Sequence, residues 1–256
     1  MRFTIDSKEF KEALDNLQVK GKHLITNGLI NSSIGQYVFC RLKDGNLSMY
    51  NGDATFIVVI TLEVEAEGEG NVVLDTKTII PYLKEFDGNI QINIGDFITL
   101  QCDNKKASIP VVVNHPNENA LNKVQNMLAH VNYEPMPQTL FNFGKNSKFE
   151  GAFTLTQSAF KKCLRTCELV KSGIYKLDYK EGVPSFSTRL NVQNKYSESL
   201  EPMFAIGEGA TIDFSGPLYA FFKSDQLLNF YMKDEFPLLV VSDDRMLIKA
   251  PYINGE

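Results

Sequence analysis

Residues 3–14, FTIDSKEFKEAL, return as FTLTQSAFKKCL at residues 153–164. Phe3/Phe153, Thr4/Thr154, Phe10/Phe160, Lys11/Lys161 and Leu14/Leu164 coincide at a single offset of 150. A repeat at this spacing constrains the fold more than any local propensity, because each copy has to build the same supersecondary unit. In both copies the apolar positions follow i, i+3, i+4, i+7: Phe10, Ala13, Leu14 and Leu17, then Phe160, Cys163, Leu164 and Cys167. That spacing lays one apolar stripe along an amphipathic helix. It also accounts for Cys163 and Cys167, which stand where the other copy has Ala and Leu and read as small core residues rather than a redox or metal pair.

A second pair of segments supports the duplication. IIPYLKEFDGNIQINI (79–94) parallels PLYAFFKSDQLLNFYM (217–232), each a short helix reaching Lys84 or Lys223 and then an extended run. Helices are expected over 7–20, 76–86, 157–172 and 217–224. Period-two alternation and turn residues predict strands at 37–42, 47–50, 55–64, 90–94, 97–102 and 107–113, and later at 227–232, 237–241 and 246–250. Each half therefore reads strand, helix, several strands, short helix, three strands, which is an α+β plan. The expected division is an N-terminal domain over 1–113, a connector over 114–147 and a C-terminal domain over 148–256. Within the connector, ALNKVQNMLAHV (120–131) places Leu121, Val124 and Leu128 at helical spacing, so it serves either as a tether with one surface helix or as a binding element.

Two such domains use up the 256 residues, and 43% hydrophobic content supplies their cores. The four cysteines include no CxxC, and His23, His115 and His130 sit in unrelated contexts, so neither a zinc site nor a Cys/His pair is indicated. GxxxxGK[ST], GxGxxG, HExxH and GxSxG are absent, and Asp243-Asp244 falls in a turn where solvent exposure is expected. No catalytic residue, cofactor or metal is expected. No apolar run approaches the roughly 18 residues of a membrane helix, and the start MRFTIDSK is charged, so an intracellular protein with reduced thiols is expected.

The net charge of −5 counts against a nucleic-acid partner until it is divided. The four expected helices sum to +5, with Lys161, Lys162, Arg165 and Lys171 concentrated on 157–172, which leaves −10 elsewhere. These lysines are either ordinary solvated helix faces or a phosphate-contacting layer. In the second case contact would be to the backbone and indifferent to sequence, since no aromatic side chains interleave with them.

Taken with the repeat, further residues resemble the DNA sliding clamps of the proliferating cell nuclear antigen type. They are NLSMYNGDATFIVVITL (46–62), with Asn46, Leu47, Val58, Thr61 and Leu62 at family-like positions, DEFPLL (234–239) and APYI (250–253). The resemblance implies two similar clamp-fold domains per chain, helices on the inner face and antiparallel sheets on the outer face of a homotrimeric ring. Lys8, Lys11, Lys20, Lys77, Lys84, Lys161, Lys162, Arg165, Lys171 and Lys223 would face double-stranded DNA. A pocket for client peptides would have Tyr50, Ala54, Thr55, Ile57, Pro237, Ile248, Ala250 and Pro251 in its floor, although Ile57 reads equally as core. The implied partners are a DNA polymerase, an ATP-dependent clamp loader, client proteins with short clamp-binding peptides, and two further copies of the chain. The ring would close through an edge strand at 107–113. The implied location is cytoplasm or nucleoid in a prokaryotic or virus-infected host, or the nucleus in a eukaryote. The alternatives are a clamp-fold processivity factor or decoy subunit that forms no ring, and an α+β enzyme without a recognised motif.

Overall fold

The computed structural model of the chain describes residues 1–18, 36–52, 55–112, 140–142, 145–216 and 218–252. Internal contacts divide the chain into two units, Met1–Asp53 with Val58–Leu121, and Ala54–Ile57 with Asn122–Glu256.

In the first unit, β1 (Arg2–Asp6) leads directly into α1 (Ser7–Leu17). Asp6 caps that helix, its carboxylate accepting the Lys8 and Glu9 N–H groups at 3.0 Å. Phe10, Ala13, Leu14 and Leu17 are its buried apolar stripe. Then come β2 (Tyr37–Lys43), β3 (Asn46–Gly52), β4 (Phe56–Glu63), β5 (Glu65–Glu67), β6 (Gly70–Asp75), α2 (Thr76–Leu83), β7 (Asn89–Ile94), β8 (Phe97–Cys102) and β9 (Lys105–Pro110). The strands lie in the orders β5-β1-β7-β8-β9 and β4-β3-β2-β6.

Within Asn122–Glu256, the second unit opens its described residues with a hairpin of β10 (Leu140–Asn142) and β11 (Lys145–Ser147). It contains β12 (Gly151–Thr156), α3 (Gln157–Glu168), β13 (Ile174–Lys180), β14 (Val183–Arg189), β15 (Lys195–Ser199), β16 (Phe204–Gly207) and β17 (Gly209–Ser215). A 3-10 turn (Leu218–Phe221), β18 (Leu227–Met232), β19 (Leu238–Val241) and β20 (Arg245–Lys249) complete it. The orders β16-β12-β18-β19-β20 and β15-β14-β13-β17 mirror the first unit strand for strand.

The repeat is kept down to the hydrogen bond. Phe3 pairs with Ile92 and Ile5 with Ile90, while Phe153 pairs with Phe230 and Leu155 with Leu228. The Ser7 N–H donates to the Gly88 carbonyl at 2.9 Å, and the Gln157 N–H, 150 residues later, to the Gln226 carbonyl at 2.8 Å. Asp44-Gly45 and Glu181-Gly182, all with positive φ, close the equivalent β2–β3 and β13–β14 hairpins, as the right-handed strand twist favours. The cores differ in filling. Phe153 stacks on Phe230 at 4.7 Å and Phe160 meets the same ring edge-on at 5.0 Å, whereas in the first unit Ile92 stands where Phe230 does.

Several sequence expectations are corrected. α1 stops at Leu17, because Gln18 is already extended. α2 carries Pro81 inside and stops at Leu83, and α3 stops at Glu168. The segment 217–224 is only a 3-10 turn, because the Lys223 N–H is taken by the Gln226 side chain at 3.1 Å and Asp225 turns to φ 65°. β9 ends at Pro110, short of residue 113. Asp244 is not solvent-exposed, since only 18% of its side chain is accessible. The expected helix at 120–131 lies outside the described residues.

Candidate nucleic-acid interface and partner site

Within the first unit, α1 and α2 pack together. Lys8 is exposed and lies 3.7 Å from the equally exposed Asp87, a pair that solvent screens almost completely. Lys11 is drawn into an i, i+4 pair with Asp15 at 2.8 Å. Lys77 projects from the first turn of α2, and Lys84 is its C-cap residue, both exposed. Lys20 lies outside the described residues.

The second unit gathers its basic groups on α3. Thr156 caps that helix through the Ala159 N–H at 3.2 Å, and the buried Phe160, Cys163, Leu164 and Cys167 fix its roll. Lys161, Lys162 and Arg165 are left off the buried stripe, Lys162 and Arg165 exposed and Lys161 half-buried. The Arg165 guanidinium lies 5.8 Å from the centre of the Tyr219 ring. The Tyr219 hydroxyl donates to the Glu168 carboxylate, at 3.1 and 3.3 Å to its two oxygens. Burial foremost, and then the Glu168 charge, push the Tyr219 phenol up against the opposing pull of Arg165. Sequence spacing gave no sign of Tyr219, because its partners lie more than fifty residues away.

Lys171 is exposed beyond the end of α3, at φ 60°. Lys223 is committed elsewhere: its ammonium pairs with Asp244 at 2.9 Å. Gln226 also donates to Asp244, at 2.6 Å. Burial raises the Asp244 carboxyl, but the hydrogen bonds from Lys223 and Gln226 and the Arg245 charge outweigh it and hold the group below its usual range. Arg245, 2% exposed in its side chain, donates to the Phe221 carbonyl at 2.8 Å. Lys223 thus helps pin the 3-10 turn to the β19–β20 hairpin.

Of the expected peptide-pocket residues, Tyr50 belongs to the first unit, where it is 4% exposed and stacks on Phe39 at 5.8 Å. In the second unit Pro237, Ile57 and Ile248 are buried, while Thr55, Ala250 and Pro251 are half-buried. The Ala250 N–H donates to the Thr55 carbonyl at 2.8 Å, so the chain continues past β20 beside residue 55. Ala54 lies outside the described residues.

The four cysteines are free. Cys163 is held up by its hydrogen bond with Cys167 and by burial, which leaves its thiol protonated. Among the described residues no group of three His, Cys, Asp or Glu could hold a metal ion, and no helix is long and apolar enough to cross a membrane.

Comparison with solved structures places this architecture. The beta subunit of DNA polymerase III from Thermotoga maritima superposes with a TM-score of 0.72 at 14% identity, over 100% of this chain and 66% of that one. The A. fulgidus PCNA, solved with the C-terminal region of FEN-1 bound, superposes with a TM-score of 0.71 at 11% identity, over 100% of this chain and 99% of that one. The chain has the sliding-clamp fold. PCNA from Thermococcus kodakaraensis matches at a TM-score of 0.67 and 12% identity, over 98% of this chain and 99% of its own. The chain therefore spans about two thirds (66%) of the bacterial clamp subunit and nearly the whole length of the two PCNA chains. No protein-family model matches the sequence, and no curated protein does.

Proposed function

We propose that this clamp-fold chain acts as a DNA sliding clamp, closing as a homotrimer around double-stranded DNA and tethering a DNA polymerase and peptide-bearing client proteins. It would be loaded by an ATP-dependent clamp loader and would carry no catalytic activity of its own. The observation that carries the reading is the duplicated helix-on-sheet unit, with basic side chains exposed on the helices of both copies. Lys8, Lys77, Lys84, Lys161, Lys162 and Arg165 offer diffuse phosphate contacts, which are salt-dependent and permit sliding. Lys223, paired with Asp244, contributes less than its place in the sequence suggests.

The repeat also suggests how copies would join. Just past β20 the Ala250 N–H donates to the carbonyl of Thr55, the residue before β4. The counterpart of β20 is β9, last in its strand order, and the counterpart of β4 is β15, first in its own. The proposed junction is β9 of one copy against β15 of the next, with Lys105 and Lys106 facing a strand that carries Glu198. The client-peptide site is assigned to Thr55, Ile57, Pro237, Ile248, Ala250 and Pro251, with Tyr50 and Ala54 from the resemblance. The location would be inside the cell.

The test is mass and topology. Light scattering coupled to size exclusion should give three times 28.8 kDa, and a concentration-independent monomer would overturn the ring in favour of a clamp-fold factor that forms none. Protein loaded on a nicked circle should survive a high-salt wash and be released when the circle is cut. Equal loss from cut and uncut DNA contradicts tethering.

A further inference from the structure

The two repeats differ sharply at one place. In the first unit β5 borders β1, with Glu65 opposite Thr4, Ala66 opposite Phe3 and Glu67 opposite Arg2. In the second, β16 borders β12, with Phe204 opposite Thr154, Ala205 opposite Phe153 and Ile206 opposite Ala152. At the offset of 150 these pairs are equivalent, so Phe204 stands where Glu65 stands and Ile206 where Glu67 stands. Glu67 is guarded by an ion pair with Arg2 at 3.1 Å. The matching pair in the second unit, Ile206 and Ala152, is apolar.

Charge on an edge strand is the usual defence against pairing with another chain. β5 has that defence and β16 lacks it, with Met203 65%, Phe204 51% and Ile206 45% exposed. These side chains are not needed by the fold, because the first unit builds the same edge with two glutamates. The strand also has backbone to offer. The Glu208 N–H reaches the Glu150 carbonyl at 3.0 Å, so by the two-residue period of an antiparallel ladder Phe204 and Ile206 also turn theirs toward β12, and Ala205 turns its own outward.

The uncommitted charge around the strand is acidic, since the two nearby lysines are taken, Lys180 by Asp178 at 2.9 Å and Lys233 by Glu150 at 2.8 Å. Glu201 and Glu208 bracket the strand, and Glu181 lies at the hairpin beside Gly182, where an added Cβ would come 3.9 Å from that of Ala205. All three glutamates are exposed, and no ion pair joins their carboxylates to another described residue. We propose that β16 is a docking edge for an extended segment of a partner protein in which apolar and basic residues alternate. The segment would add as a strand outside β16, its apolar side chains on Phe204 and Ile206 and its basic ones on the Ala205 side toward Glu181, with Glu201 and Glu208 at its two ends. This docking is independent of ring closure, which uses other edges.

A fluorescently labelled peptide, Lys-Val-Lys-Ile-Lys-Val-Lys-Ile, serves as probe for anisotropy titration against the full chain. Saturable binding is expected, weakened about tenfold or more in the Phe204→Ser/Ile206→Ser double variant and in Ala205→Pro. Glu201→Gln/Glu208→Gln should weaken it several-fold and reduce its salt dependence, and a peptide with Glu in place of Lys should not bind. Thermal melting of each variant confirms the fold, and only variants that melt like the parent are compared. No saturation by the basic peptide, or equal affinity in the serine variant, would overturn the proposal. Self-association abolished by the serine variant would overturn it too, in favour of contact between copies.

Discussion

Phe160 is fully buried, its ring edge against Phe230 and its other neighbour Phe186 at 5.5 Å. Removing it leaves a hole that rigid aromatic neighbours refill poorly. Phe160→Ala should cost about 3–5 kcal/mol by urea unfolding, whereas Cys163→Ala, which removes one sulfur from the same stripe, should cost about 1–2. Both positions were readable from helical spacing, because an apolar stripe records burial directly. As a dipeptide in a turn Asp243-Asp244 reads as exposed, and nothing local to it signals that Lys223 and Gln226, about twenty residues earlier, fold onto Asp244. Its folded pKa is depressed below an unfolded value near 4. The stability it supplies is therefore complete above about pH 4 and fades as pH falls through the folded value. Asp244→Asn should lower the melting temperature at pH 7, and the gap from the parent should narrow as pH falls below 4. A constant gap would mean that the carboxylate charge is not what stabilises the turn.

The element with most to test is α3. Its cap and stripe leave Lys161, Lys162 and Arg165 off the buried face, and the charge count along the sequence singled out the same helix. The count could not find Tyr219, which holds Arg165 in place by ring contact and by its bond to Glu168. Changing Lys161, Lys162 and Arg165 together to Glu should leave the oligomeric mass unchanged and remove most stimulation of DNA synthesis in a primer-extension assay. Tyr219→Leu should fall between that triple variant and Tyr219→Phe, which keeps the ring under the guanidinium. If Tyr219→Phe and Tyr219→Leu behave alike, the ring contact does not matter. The segment 217–224 shows the limit of repeat-based reading: its counterpart ends a real helix, yet Gln226 and Asp225 turn this one out after a single 3-10 turn.

At the scale of the whole molecule, the net charge of −5 is unevenly distributed, with α3 carrying Lys161, Lys162 and Arg165 against Glu168 alone. On the proposed reading a ring held by topology would need only weak contacts to DNA, so raising salt should speed sliding and slow loading without releasing protein from closed circles. Retention that falls with salt equally on closed and linear DNA would show affinity, not encirclement.

The sequence by itself determined the duplication, the buried stripes of α1 and α3, the strands that follow the second helical segment of each half and the helix that concentrates positive charge. These are readable because periodicity reports which side chains leave water, and that preference is local and additive along an element. Only the tertiary structure decided that β5 and β16 are equivalent edges with opposite chemistry, that Lys223 is neutralised by Asp244 and that Tyr219 positions Arg165. Each depends on residues far apart in the chain meeting across a strand register or a packed turn, and register is set by the whole core rather than by any segment.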